Sequence, residues 1–179
     1  VDAVIAHLRT RYTVDQVEQE RIPQTGRVLL VANHPAGIVD ALALLHLAGS
    51  IRRDVRIVAN DVLCALPAIR DLILPVRILG GRPSPESLQA IEASLAAEQC
   101  VIVFPAGEVS RLGWRGIADG RWRRGFLQFA LATGAPVGPV RVGARNSAFF
   151  YGASALYKPA GTALLPREIM TRKGVRVDL

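Results

Sequence analysis

The sequence predicts an α/β fold: a mostly parallel central sheet flanked by helices. Strand-length apolar runs such as RVLLVAN (27–33), VRIVAN (55–60) and CVIVF (100–104) lack polar–apolar alternation, as expected of strands buried on both faces. Longer amphipathic stretches separate these runs and can return the chain to the same end of a parallel sheet. Half of the 179 residues are hydrophobic, and neither a repeat nor a Ser/Gly linker interrupts them. A single domain over residues 1–179 is therefore expected.

The elements follow in chain order. Residues 1–12 suggest a helix in which His7 lies among Val4, Ile5 and Leu8. Arg9 and Arg11 give that helix an interfacial reading beside the commoner core-docking one. The 27–33 strand precedes a helix over about 37–48, and a short strand is expected at 72–76 after the one at 55–60. SPESLQAIEASLAAEQ (84–99) carries the clearest helix signals. Ser84 can cap, Pro85 suits the first position, Glu86 suits the positive end, and Leu88, Ile91 and Leu95 recur at helical spacing. CVIVFPAGE (100–108) is an apolar strand entering a turn. A helix over 122–134, closed by Gly134, leads to a strand in APVGPVRVG. The tail reads as two helical pieces broken near Pro159 and Gly161, then a last strand.

No uninterrupted apolar run is long enough to span a bilayer, and the first residues lack a signal-peptide pattern. The opening Val1 and the abrupt ending VRVDL lead us to expect a piece of a longer protein. Cys64 and Cys100 lie in apolar contexts and read as small buried hydrophobes of a reducing compartment. Three histidines without a Cys/His cluster argue against a structural zinc site. Lys plus Arg number 22 against 15 acidic residues, a formal +7. Such a surface suits nucleic acid, an anionic membrane face or phosphorylated substrates and carriers.

Chemistry concentrates in two loops placed after strands, where open α/β sheets carry their sites. In VANHPAGIVDALALL (31–45), Pro35 holds His34 out of the helical region, while Asp40 falls in the first turn of the next helix. An ionised Asp40 there is favoured by the helix dipole and can fix one imidazole tautomer, leaving the other nitrogen as a base. The competing reading is a polar turn in which His34 caps and Asp40 only favours the helix start. In VIVFPAGEVSR, Gly107 permits a tight turn, and Glu108, Ser110 and Arg111 place an acceptor, a hydroxyl and a cation on one loop. RLGWRGIADGRWRRGF interleaves five arginines with Trp114 and Trp122. It reads as a membrane-interface anchor, an acidic-head contact, a nucleic-acid surface or a solvated loop.

Together these blocks resemble the lysophospholipid and glycerol-phosphate acyltransferase family, which carries an Asn-His motif after a strand, a following Asp, and a later Phe-Pro-x-Gly. LPVRILGGRPSPESL resembles the family block whose arginine contributes to acceptor binding, with Arg82 in that position, and GAPVGPVRV resembles its fourth block. Two departures stand out. Five residues, rather than the commoner four, separate His34 from Asp40, and Ala106 and Glu108 replace the usual Glu and Thr. RNSAFFYGASALYK and LLPREI are similar to a bacterial hemolysin-like branch close to lyso-ornithine-lipid acyltransferases, where those departures are normal.

The resemblance implies a glycerol-phosphate acyltransferase-like fold and acyl transfer from acyl-CoA or acyl carrier protein to a hydroxyl of a lysolipid. His34 would be the base and Asp40 its support, with amides near Gly37 or Gly107 as candidate oxyanion donors. Arg82, Gly107, Glu108, Ser110 and Arg111 would bind substrate. No metal or resident cofactor is required. The implied location is cytoplasmic, peripheral to the inner face of the cell membrane and in contact with its anionic surface, without a nucleic-acid partner. A hydrolase using the same dyad and a non-catalytic basic lipid-binding module stay open as alternatives.

Overall fold

The computed structural model describes residues 1, 5, 6, 9–65, 67, 69–76, 83–114, 116–157, 164, 165, 167, 168, 171 and 174–179. Its strands are β1 (Arg11–Thr13), β2 (Val28–Ala32), β3 (Val55–Asn60), β4 (Ile73–Val76), β5 (Cys100–Val103), β6 (Arg111–Gly113), β7 (Gly116–Ala118), β8 (Val137–Val140) and β9 (Arg176–Asp178). Its helices are α1 (Gln16–Glu20), α2 (Ile38–Ile51), α3 (Pro85–Ala96), α4 (Gly125–Thr133) and α5 (Ala148–Leu156). The central sheet has five strands in the order β4-β3-β5-β2-β8, and every neighbouring pair is parallel.

All five residues of β2 are buried, which accounts for its unbroken apolar sequence. Val28, Leu30 and Ala32 face one core layer, where Ala43, Leu44, Leu47 and Ala48 of α2 cover them. Leu29 and Val31 face the opposite layer, packed with Ile91 and Leu95 of α3 and Phe129 of α4. Burying each strand on both faces removes the need for alternation.

The expected α3 signals form as anticipated. The Ser84 hydroxyl accepts from the Ser87 amide at 3.3 Å, with Pro85 at the helix start. Leu88 is 36% exposed, however, and Ser94 joins Ile91 and Leu95 on the buried face instead. Gly134, at φ +67°, closes α4 in the left-handed region.

One expectation needs correction. The N-terminal helix does not extend to residue 12. Residues 5 and 6 are helical, but Arg11–Thr13 form β1, paired in parallel with β9. A distant partner strand overrides the local pattern there. Val177 of β9 is fully buried and joins the α2 core layer, so this pairing docks both ends of the chain on the sheet domain. The start of the Arg/Trp-rich stretch, read as a membrane anchor, acidic-head contact, nucleic-acid surface or solvated loop, is an antiparallel β6–β7 hairpin with Leu112 opposite Ile117. As expected, the strand within 100–108 ends at Val103 and runs into a turn, which leads to the candidate site. His7, Arg115 and the break near Pro159 and Gly161 lie outside the described residues.

Arg52 clamps the edge opposite the site. Its side chain is 2% exposed, and its Nε and Nη2 donate to both Asp54 oxygens at 2.7 and 2.6 Å. It also donates to the Pro23 and Glu98 carbonyls at 2.9 and 3.0 Å. Hydrogen bonding from Arg52 holds the Asp54 carboxyl below its ordinary range. Arg52→Ala strands these acceptors and is expected to cost about 3 kcal/mol in urea unfolding at pH 7. A carboxylate with a depressed folded-state pKa stabilises the fold above its unfolded pKa, and that stabilisation is lost as pH falls through the folded value. The gap between wild type and variant should therefore narrow below about pH 4. Burial meanwhile pushes the Cys100 thiol up to about 12, while Cys64 is half-buried. Both cysteines are free thiols, and only Cys100 is buried as expected.

Candidate active site

The site assembles where β2, β5 and β8 end side by side. Asn33 extends β2 through its side chain. Its Nδ2 donates to the Val142 carbonyl at 2.8 Å, and its Oδ1 accepts from the Val142 amide at 2.6 Å. An amide side chain thus continues the ladder beyond the last backbone pair and fixes the turn that carries His34.

His34 is anchored on three sides. Its carbonyl accepts from the Ser110 amide at 2.8 Å. Its amide donates to Asp119, with 3.2 and 3.3 Å to the two oxygens. Its imidazole stacks on Phe104, with ring centroids 4.1 Å apart and planes 25° from parallel. Phe104 directly follows β5, so the Phe-Pro-Ala-Gly turn forms the wall behind the ring. The Gly107 amide closes that turn on the Phe104 carbonyl at 3.0 Å, with Gly107 at φ +67°.

Asp40 is wholly buried at the third position of α2. Its Oδ2 accepts from the Ala36 and Gly37 amides at 2.6 and 3.0 Å, and these bonds with the helix N-terminus offset the cost of burying the charge. The same oxygen stands 3.3 Å from His34 Nδ1. Nδ1 and Asp40 Oδ1 are both buried without a hydrogen bond. The two groups are within reach of each other without a hydrogen bond between them. Nδ1 is buried while 17% of the His34 side chain meets solvent. Gly37, between His34 and Asp40, sits at φ +80° and ψ −130°. That backbone belongs to glycine.

The remaining expected residues have varied positions. Ser110 is 3% exposed and donates its hydroxyl to Asp119, beneath the His34 backbone. Glu108 and Arg111 pair at 3.3 Å, so each charge is partly answered within the loop. The Gly37 and Gly107 amides, considered as oxyanion donors, already donate to Asp40 and Phe104. Arg82 lies outside the described residues.

Asp119, Asn33, Phe104 and Asn146 were not legible as site residues. Asp119 accepts from the His34 amide, the Ser110 hydroxyl and Trp122 Nε1, the last at 3.0 Å, and so ties the β6–β7 hairpin to the His34 turn. Asn146 is buried and donates to the Pro35 carbonyl at 3.2 Å. The prior signals were the Asn-His and Phe-Pro-x-Gly motifs, which contain Asn33 and Phe104, and an Asp inside an Arg/Trp-rich stretch.

A cleft of about 970 Å³ opens beside this turn, lined by Asn33, Pro35 and Asp119 among others. Among the described residues, the His34 ring is not part of its wall.

Comparison with known proteins accords with this geometry. A family model described as acyltransferase matches residues 2–173. A lyso-glycine lipid O-acyltransferase of Phocaeicola vulgatus is 33% identical over 143 residues, covering 79% of this chain and 51% of that protein. A protein of the same name from Bacteroides thetaiotaomicron is 32% identical over 143 residues, covering 79% of this chain and 52% of its own. The crystal structure of a 1-acyl-sn-glycerophosphate acyltransferase from Thermotoga maritima shares the fold, with a TM-score of 0.55, 23% identity and coverage of 79% of this chain and 53% of that one. The chain therefore spans about half the length of these relatives. With a family model matching nearly its whole length and relatives about one-third identical, this chain belongs to the acyltransferase family.

Proposed function

We propose that the chain is an O-acyltransferase domain that moves an acyl group from a thioester, acyl-CoA or acyl carrier protein, to a hydroxyl of a lysolipid. The observation that carries this reading is the wholly buried Asp40 standing 3.3 Å behind the inner nitrogen of His34. With a proton on Nδ1, facing Asp40, Nε2 is left as the base. Nε2 takes the acceptor hydroxyl proton as the oxygen attacks the thioester carbonyl carbon. The tetrahedral adduct collapses, the C–S bond breaks, and the imidazolium returns its proton to the departing thiolate. Asp40 stabilises the imidazolium between these steps without itself becoming protonated. Water in place of the lipid hydroxyl would make the same dyad a hydrolase.

Among the described residues no helix is long and apolar enough to cross a membrane. Peripheral contact at the inner face of the cell membrane is supported by the hairpin. Trp114 is 89% exposed at its tip, Leu112 and Ile117 are 46% and 39% exposed, and Arg121, Arg123 and Arg124 are exposed nearby. Apolar side chains with flanking cations suit an anionic bilayer surface. Trp114→Ser is expected to weaken binding to vesicles containing anionic lipid by about tenfold in sedimentation.

The activity is tested by offering acyl-CoA and acyl carrier protein against a panel of lysolipids and identifying the products. Acylated lipid is the expected product. Free fatty acid alone would favour the hydrolase, and lipid binding without turnover would favour the non-catalytic module.

A further inference from the structure

The turn that carries His34 is held at its main chain by residues far along the sequence. The His34 amide faces the Asp119 carboxylate, 3.2 Å from Oδ1 and 3.3 Å from Oδ2. The Ser110 hydroxyl donates to the same Oδ1, and the Ser110 amide donates to the His34 carbonyl at 2.8 Å. Both polar main-chain groups of the histidine are thus closed into one ring of hydrogen bonds with Asp119 and Ser110. Trp122 Nε1 donates to Asp119 Oδ2 at 3.0 Å and orients the carboxylate from its other side. Ser110 is buried and Asp119 half-buried.

The same short segment reaches the wall behind the imidazole. The Arg123 amide donates to the Pro105 carbonyl at 3.0 Å, next to Phe104, whose ring stacks on His34. Residues 119–123 therefore fasten both the His34 main chain and the turn that bears its stacking partner. The ring needs that support, because Nδ1 is buried without a hydrogen bond, 3.3 Å from Asp40 Oδ2. Aromatic pairs are favourable over a range of offsets, so stacking fixes the ring plane and leaves the ring free to slide. The main chain supplies the restraint against sliding, and a reacting group has to be held to within about 0.5 Å.

We infer that Asp119 is a positioning residue for His34, setting the place of the imidazole against Asp40 through the His34 amide and Ser110. The inference rests on the reading of His34 as the base, but the ring placement it asserts is measurable without turnover. Three other roles make different predictions. A carboxylate that only pinned the hairpin down would leave the ring where it is. One that acted by its charge would fail when the charge is removed, whereas positioning by hydrogen bonds survives in a side chain that keeps an acceptor oxygen. Asp119 also lines the cleft, and a substrate contact there would act on binding instead of rate.

The test reads ring and rate in the full chain. The chain has three histidines, so the ¹⁵N-histidine signals of His34 are identified by their absence from His34→Ala. The ratio of Nδ1-protonated to Nε2-protonated imidazole should fall by about tenfold in Asp119→Ala. It should stay near wild type in Asp119→Asn, which keeps one acceptor oxygen. With palmitoyl-CoA and an N-acylglycine bearing a chain hydroxyl, kcat should fall about 30-fold in Asp119→Ala, with each KM changed by less than about threefold. Asp119→Asn should recover all but about threefold of that rate. Trp122→Phe keeps an aromatic ring against Phe126 and removes the Nε1 donor, so it should fold and lower kcat about threefold. That variant decides the matter if Asp119→Ala melts below the assay temperature. An unchanged tautomer ratio in folded protein overturns the inference. So does a loss confined to KM, which would make Asp119 a substrate contact, or an Asp119→Asn as impaired as Asp119→Ala, which would assign the effect to charge. A changed ratio in Asp119→Ala beside wild-type turnover in His34→Ala overturns the base reading and leaves the positioning standing.

Discussion

His34→Ala should lower the acyl-transfer rate by about a thousandfold or more while leaving the protein folded. General-base removal costs about 10²–10⁴ in rate, and nothing else on this turn offers a replacement at the same position. Ser110 is buried with its hydroxyl committed to Asp119, so it cannot act as a surrogate nucleophile without dismantling its own support. The imidazole stacks on Phe104, and losing that contact should cost about 1 kcal/mol, well short of unfolding. The rate is read as acylated product per folded enzyme, with thermal melting as the control. Wild-type turnover in this variant would remove the dyad from the mechanism.

Gly37→Ala is expected to damage both stability and rate. The backbone there is at φ +80° and ψ −130°, a region that alanine rarely occupies. The added methyl would also lie 3.2 Å from Val109 Cγ1 and 3.5 Å from Leu165 Cδ2. Relief requires the start of α2 to move, and the Gly37 amide is one of the two donors that hold Asp40 Oδ2. A destabilisation of about 2 kcal/mol should appear in chemical unfolding. A shift of the carboxylate by about 1 Å should lower kcat by about 10²-fold in the protein that remains folded. Substitution at Gly107, where a Cβ meets nothing within 4 Å, carries only the strain of its positive φ and should be milder.

Gly37 also shows how far the sequence leads. His34, Asp40 and Gly37 could be singled out because they lie within one turn between a strand and a helix. The central strands and α3 were legible for the same reason: burial on both faces, a serine cap and an early proline leave local marks. What escaped depends on distance along the chain. β1 pairs with β9 across nearly the whole sequence, so no local pattern announces it and the first residues read as helix. Asp119 reaches the His34 amide from 85 positions away, on a hairpin whose three-residue strands are too short to show alternation. Glu108 and Arg111 were read as ligands for substrate because sequence displays two charges but not their mutual pairing at 3.3 Å.

The protonation pattern of His34 tests the account most directly. With ¹⁵N-labelled histidine, the neutral imidazole should carry its proton on Nδ1, facing Asp40, and leave Nε2 bare. That pattern should weaken in Asp40→Asn, where the carboxylate no longer selects the tautomer. A resting enzyme with the proton on Nε2 and Nδ1 bare would contradict the proposal, because the only nitrogen turned away from the buried carboxylate would then have no lone pair for the acceptor's proton.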